Sequence, residues 1–465
     1  MNHKFFLTHQ AVLATLFFSL FSLLITACKD DDSAPDPEPE LVPGISGFSP
    51  NSGKTGTEVT ITGTHFSSIP NENTVQFNGT ETTVTNATKT SLTVHVPEEA
   101  TSGNITVTVE GKTTTSAEVF TVLYIQKIAA GDLHTLILKS DHTLWVTGRN
   151  EYGQLGDGSN EDINTPKQIM SGVKDIAAGR FHSLILKSDN TLWATGRNRT
   201  GQLGDGSNED INTPKQIMSD VKAMDAGAGH TLILKTDNSL WTTGYNRKGQ
   251  LGIGTNTDVN IPEQVMTNVQ AIAAGGEHTL ILKTDNTLWV TGSNHYGELG
   301  NGSNDFANTP KQIMSNVKAM SAGFYHTHIL KEDNTLWATG GNHFGQLGNG
   351  ANGTMEHVIT PQQIMEDVHS VIAQGGFSMI LKNDHSLWAT GRNFYGQLGD
   401  GSKTNKNTPV QIMTAVKTVF AGSYHTFILK NDRSLWATGN NEYGQLGDGT
   451  HGSGNYVTTP KQIDF

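Results

Sequence analysis

The stretch Ile176–Gly206 reads I-A-A-G-R-F-H-S-L-I-L-K-S-D-N-T-L-W-A-T-G-R-N-R-T-G-Q-L-G-D-G, and after a polar loop it closes on T-P-K-Q-I-M at Thr213–Met218. Copies of this unit fill the chain from about Ile125 to Phe465. Each carries one of the seven tryptophans, Trp145, Trp193, Trp241, Trp289, Trp337, Trp388 and Trp436, at successive spacings of 48, 48, 48, 48, 51 and 48 residues. A constant period of this length is the signature of a repeat architecture.

Four short runs in the unit are apolar or alternating: Ile176–Ala178, Ser183–Leu186, Leu192–Thr195 and Lys215–Met218. Gly, Asp and Asn separate them, and no apolar three-and-four spacing is sustained, so the runs read as strands. Asp189-Asn190 suits a two-residue hairpin between the second and third. Four-stranded sheets repeated radially make a β-propeller, each sheet burying its faces against its neighbours. Seven units predict seven blades. Repeat one lacks a preceding T-P-x-Q-I segment while the chain ends on a spare one at Thr459–Ile463, which predicts that the last strand pairs with the strand around Gln126–Ala130 and locks the ring.

The pattern H-x-L-x-L followed by L-W-x-T-G-x-N-x-x-G-Q-L-G-x-G resembles the repeat of the regulator of chromosome condensation family, and the resemblance implies a seven-bladed propeller. Departures are few: Ser378 is read in place of the repeated His, Glu298 in place of Gln, and Ile261 in place of the Thr before Pro262. Relatives implied by the resemblance include guanine-nucleotide exchange factors and secreted bacterial inhibitors of β-lactamase, which act through protein contacts.

Upstream, residues 43–123 alternate in strand fashion through Val59 and Ile61, Val75 and Phe77, Leu92, Val94 and Val96, and Ile105, Val107 and Val109. The strings I-S-G-F-S-P-N-S-G-K-T-G-T-E-V-T-I-T-G-T-H-F and V-P-E-E-A-T-S-G-N-I-T-V-T-V resemble an IPT/TIG domain, which implies an immunoglobulin-like sandwich used as a spacer. Residues 1–27 run apolar from Leu13 to Ile25 and read as a secretory signal peptide. Ile25-Thr-Ala-Cys28 resembles a bacterial lipobox, which implies lipidation of Cys28. One acyl chain anchors marginally and two anchor stably. Residues 28–42, acidic and proline-rich, form a solvated tether. Acidic residues behind the lipidated cysteine resemble the surface-export signal of Bacteroidota lipoproteins, so the expected location is the outer membrane, facing outward.

A balance of 31 basic against 44 acidic residues, net charge −13, argues against a nucleic-acid partner. The 51 glycines suit a turn-dense all-β chain, and a single cysteine excludes an internal disulfide. Chemistry needs groups that converge, whereas His134, His182, His230, His278, His326 and His425 recur one per blade and are expected to close hydrogen bonds within their own blades. Asp157-Gly-Ser-Asn-Glu-Asp162 lacks the calcium-loop register. G-Q-L-G-D-G lacks the lysine and helix of a phosphate loop. No cofactor or metal is expected.

Positions that vary while the scaffold repeats are the informative ones. They fall after A-A-G and after G-x-N in each unit, at ends that a four-stranded up-and-down blade places on one face. The candidate binding residues there are Arg180, Phe181, Arg199, Arg247, Lys248, Tyr296, Phe324, Tyr325, Phe344, Phe377, Phe394, Tyr395, Tyr424 and Tyr443, with Arg197 in the same basic sector and Met355, His357 and Tyr456 in longer rim loops. Aromatic and arginine side chains on rigid-scaffold loops are the usual makings of an interface. The expected function is non-enzymatic binding of a protein partner. Glycan binding through stacked rings is the alternative, and a hydrolase built on Ser378 the remaining one.

Overall fold

The computed structural model describes residues 41–353 and 356–464. The signal peptide, Cys28 and the tether as far as residue 40 lie outside them, as does Met355. Two all-β bodies follow one another. Gly44–Val122 form a sandwich in which strands Gly44–Ser49, Glu58–Thr64, Ser91–His95 and Val84–Thr88 make one sheet, and Ser52–Gly53, Lys112–Val122, Gly103–Val109, Asn73–Phe77 and Thr80–Thr82 the other. The alternating residues meet between the sheets: Val59, Ile61, Val75, Leu92, Val94, Ile105 and Val107 are fully buried around Phe77 and Phe120.

Only Leu123 and Tyr124 intervene before the first blade. Seven antiparallel sheets follow, each of four strands consecutive in the chain. In the second blade the strands are Val173–Ala178, His182–Lys187, Leu192–Gly196 and Ile211–Met218. The first strand is innermost, and the fourth, with alternate residues in solvent, is outermost. The link between second and third strands is a three-residue loop rather than the expected two. Lys187 N donates to Thr191 O at 2.9 Å, and of the central pair only Asn190 takes a positive φ, 63°. Asp189 accepts from the Thr191 hydroxyl at 2.6 Å, and that hydroxyl accepts from the Trp193 indole at 2.9 Å. The repeated Asp and Trp thus brace one turn.

The ring closes differently from the sequence expectation. The final strand, Tyr456–Ile463, pairs with Leu435–Asn440 of its own blade, and Ile125–Ala130 pairs with His134–Lys139. All seven units are complete, so no strand is left to share. Blades are joined instead by side chains and by the loop between third and fourth strands. The Ser183 hydroxyl donates to Gln154 O of the preceding blade at 2.7 Å and accepts from His134 Nε2 at 3.0 Å. Similar His-to-Thr or Ser contacts link His182 to Thr231, His230 to Thr279, His278 to Thr327 and His326 to Ser378. The histidines therefore bind the next blade, not their own. His425 to Thr135, at 3.1 Å, together with Thr135 donating to Gln445 O and Thr147 to Gly444 O, makes the same joint between blades seven and one.

Candidate functional site

Within each blade the connection from first to second strand and that from third to fourth emerge together. Arg197 N donates to Phe181 O at 2.9 Å, and Asn440 N to Tyr424 O at 2.9 Å. The variable pairs of neighbouring blades consequently meet on one face. Tyr152 lies 5.3 Å from Phe181, Tyr296 5.2 Å from Tyr325, Phe344 5.7 Å from Phe394, and Tyr395 5.4 Å from Tyr424. Tyr456, from the long last loop, reaches Tyr395 at 5.1 Å. These are edge-to-face or tilted pairs, the arrangement ring quadrupoles favour.

Guanidinium groups tie the pairs into a mosaic. Arg197 stands over Tyr152 and Phe181 at 5.3 and 5.5 Å, and Arg199 over Tyr152 at 5.8 Å. Arg180 stands over Phe181 at 4.9 Å and over Phe324 of blade five at 6.0 Å. Arg149 bridges Tyr443 and Phe181 at 5.1 and 5.9 Å. Arg392 contacts Phe344, Phe394, Tyr395 and Tyr424 at 5.1–5.6 Å. Arg247 and Lys248 are exposed in blade three and extend the basic sector beyond the rings. Tyr325 is 45% and Phe394 48% exposed, the most open of these rings.

Phe377 is a correction. It is fully buried, pairs with Gly391 and fills the place that His326 holds one blade earlier. Lys382 and Trp388 set the register: Phe377 stands five residues before Lys382, as His326 stands before Lys331. The variable pair of blade six is therefore Gly375-Gly376, and Phe, not Ser378, replaces the histidine. Ser378 is fully buried, donates to Gln346 O at 2.9 Å, and sits 3.0 and 2.8 Å from the Nε2 atoms of His326 and His328. A hydroxyl enclosed this way has no path to a substrate.

Arg149 and Arg392 were missed by reading only the pairs. They occupy the middle of G-x-N, a third position that varies, as Arg149, Arg197, Tyr245, Ser293, Gly341, Arg392 and Asn440 show.

Arg149, Arg180 and Arg199 on this face are engaged by carboxylates. Arg180 Nε donates to the buried Asp132 carboxylate at 2.8 Å, and Ser423 bonds the same carboxylate. Burial raises the Asp132 pKa, and the Ser423 bond and Arg180 oppose the rise. Arg149 pairs with Glu151, and Arg199 lies 3.7 Å from Asp210. The calcium-like loop is likewise occupied from within: Asp157 accepts from Lys167 at 2.7 Å and from Asn150 at 3.0 Å. Among the described residues no three His, Cys, Asp or Glu side chains gather as metal ligands, and no helix is long and apolar enough to cross a membrane.

The opposite face is covered in part by the sandwich. Ser140 and Arg433 lie in the loops between second and third strands, at the far end of blades one and seven. Ser140 Oγ donates to Val122 O at 2.9 Å, Arg433 Nη1 donates to Ala100 O at 2.8 Å, and Lys54 pairs with Asp464 at 2.9 Å.

Comparison with known proteins agrees with this architecture. The RCC1-like domain model matches residues 219–465, and Regulator of chromosome condensation (RCC1) repeat models match residues 141–186 and 189–234, and 125–154 and 173–202. The IPT/TIG domain model matches residues 43–122. A search of curated proteins found no match. Among solved structures, yeast RCC1 (Prp20) bound to Kap60 is similar at 21% identity and a TM-score of 0.63, over 74% of this chain and 85% of that one. Saccharomyces cerevisiae Prp20p, whose structure was described with its binding to Gsp1p and histones, is similar at 20% identity and 0.63, over 74% and 88%. Human WBSCR16 is similar at 22% identity and 0.59, over 66% and 87%. With more than half of its length matched by one model, the chain belongs to the RCC1-like domain family.

Proposed function

We propose that the face bearing the variable loops is a docking surface for a protein partner, on a chain held at a membrane by lipidated Cys28 and displayed at the cell surface. One observation carries the docking reading: rings and guanidinium groups concentrate on the face that the sandwich leaves clear. Tyr, Phe and Arg are the residues from which binding hot spots are built. The yeast RCC1 structure with Kap60 supports the reading, since it places a propeller of this fold in a protein complex. The acidic net charge does not favour nucleic acid, and the anchor at Cys28 rests on the sequence alone. The mosaic acts by binding, and no enzymatic step is assigned to it.

Changing Phe324, Tyr325, Phe394 and Tyr395 together to Ala tests this. Truncating one hot-spot residue costs about 2 kcal/mol or more, so partner affinity measured with the purified full chain is expected to fall by roughly a hundredfold or more while the melting temperature holds. Retained affinity contradicts the choice of face. A parallel glycan array separates the readings: selective glycan capture, lost in the same variant, would replace protein by sugar. For the anchor, Cys28→Ser is expected to move the chain from the membrane to the soluble fraction.

A further inference from the structure

On this face Arg197, Arg247 and Arg392 form no ion pair among the described residues, and of the three only Arg392 has a guanidinium nitrogen, its Nε, shielded from solvent without a partner. Arg149, Arg180 and Arg199 each lie within ion-pair distance of a carboxylate, Glu151, Asp132 and Asp210. The position of Arg392 is nonetheless fixed, for Arg392 N donates to Gly376 O at 2.9 Å and four rings stand around the guanidinium.

Rings attract a cation through their faces; of the four, the Tyr424 hydroxyl also hydrogen-bonds the guanidinium, which leaves the rest of the N–H fork without an acceptor. A half-buried guanidinium with no counter-charge carries a desolvation penalty, and a carboxylate arriving at its solvent-facing Nη edge relieves it. The acceptor that fits the fork in two places is a carboxylate. Lys403 adds a second positive charge close by, 4.5 Å over Tyr456, whose ring packs on Tyr395.

We propose that Arg392 is the carboxylate anchor of the docking face, receiving an Asp or Glu side chain of the protein partner; this rests on the docking reading above. The surroundings favour an amino-acid carboxylate over that of an acidic sugar. Phe394, 48% exposed beside Phe344, gives the apolar residues flanking an acidic side chain a surface to pack on, while the hydroxyls of Tyr395 and Tyr424 are the polar atoms a uronate would use instead.

The test uses the full chain and three probes: a short capped peptide with one central Glu among apolar residues, its Gln twin, and an oligogalacturonate. The unaltered chain is expected to bind the Glu peptide about tenfold tighter than its twin, the size of one charge-assisted bond. Arg392→Gln is expected to erase that preference without lowering the melting temperature. Should that variant melt early, Arg392→Lys decides, because it keeps the charge and loses the fork: most of the preference is expected to go, and full retention overturns the anchor. No preference in the unaltered chain, or an undiminished one in Arg392→Gln, also overturns it. Oligogalacturonate outcompeting the Glu peptide overturns the protein source. The variant lacking Phe324, Tyr325, Phe394 and Tyr395 separates the two proposals. If it weakens both twins while Arg392→Gln keeps the preference, the face docks without this anchor; if it binds both normally, the docking reading fails.

Discussion

A histidine between two blades has a defined place for its proton. The Ser183 hydroxyl spends its hydrogen on Gln154 O, so its oxygen accepts and His134 must hold the proton on Nε2. Burial, which disfavours the charged ring, pushes His134, His230 and His425 down to about 3 and His182 and His278 to about 4. With folded values below the ordinary 6.5, these rings contribute stability that is complete above pH 6.5 and lost as pH falls toward 4, because the unfolded chain binds protons there and the folded chain does not. Melting temperature is therefore expected to drop steeply between pH 6.5 and 4, and His278→Phe to flatten that slope. Phe377 shows that a blade tolerates this exchange. At pH 7.5 the variant is expected to lose only about 1–2 kcal/mol, since Thr327 keeps its bond to Glu298 O; an unaltered slope would contradict the assignment. The histidine column was legible in the sequence, but its partners were not, because a contact between blades has no sequence spacing to betray it. Blade six was misread because matching Ser378 to His ignored the fixed distance to Lys382.

The loops between third and fourth strands join one blade to the next alongside the histidine contacts. Gly444 has φ 79°, and a Cβ there would lie 2.4 Å from Asn164 Cα of blade one. Gly449, in the same loop, has the same φ, and a Cβ there would meet nothing nearer than Thr165 Oγ1 at 4.0 Å. Ala at either position strains the backbone by roughly 1–3 kcal/mol; only Gly444→Ala adds a backbone clash at the seam. Gly444→Ala is expected to lower the melting temperature by several degrees more than Gly449→Ala, and equal losses would show that the seam does not depend on this loop. Strand content and blade number followed from the repeat alone, since apolar alternation and Gly, Asp and Asn turns are local signals. Ring closure did not, because the chain ends looked complementary while each unit already held four strands.

Across the whole molecule the sandwich occupies one end of the propeller and the mosaic the other. Arg433, donating to Ala100 O and stacked 4.9 Å over Tyr124, ties the two bodies. Arg433→Ala is expected to speed proteolysis between Leu123 and Tyr124 and leave the propeller's melting temperature unchanged; unchanged cleavage would mean the junction is held elsewhere. That the variable pairs share a face was legible from strand connectivity, but the mosaic across blades, with Arg149 and Arg392 as its links, needed the three-dimensional ring. The most direct test of the docking face is photo-crosslinking on intact cells, with a photoreactive residue at Phe394 on the mosaic or at Asp237 on the opposite end. The expected result is one dominant protein adduct from position 394 and none from position 237. Equal adducts from both, or adducts from position 237 alone, would contradict the assignment.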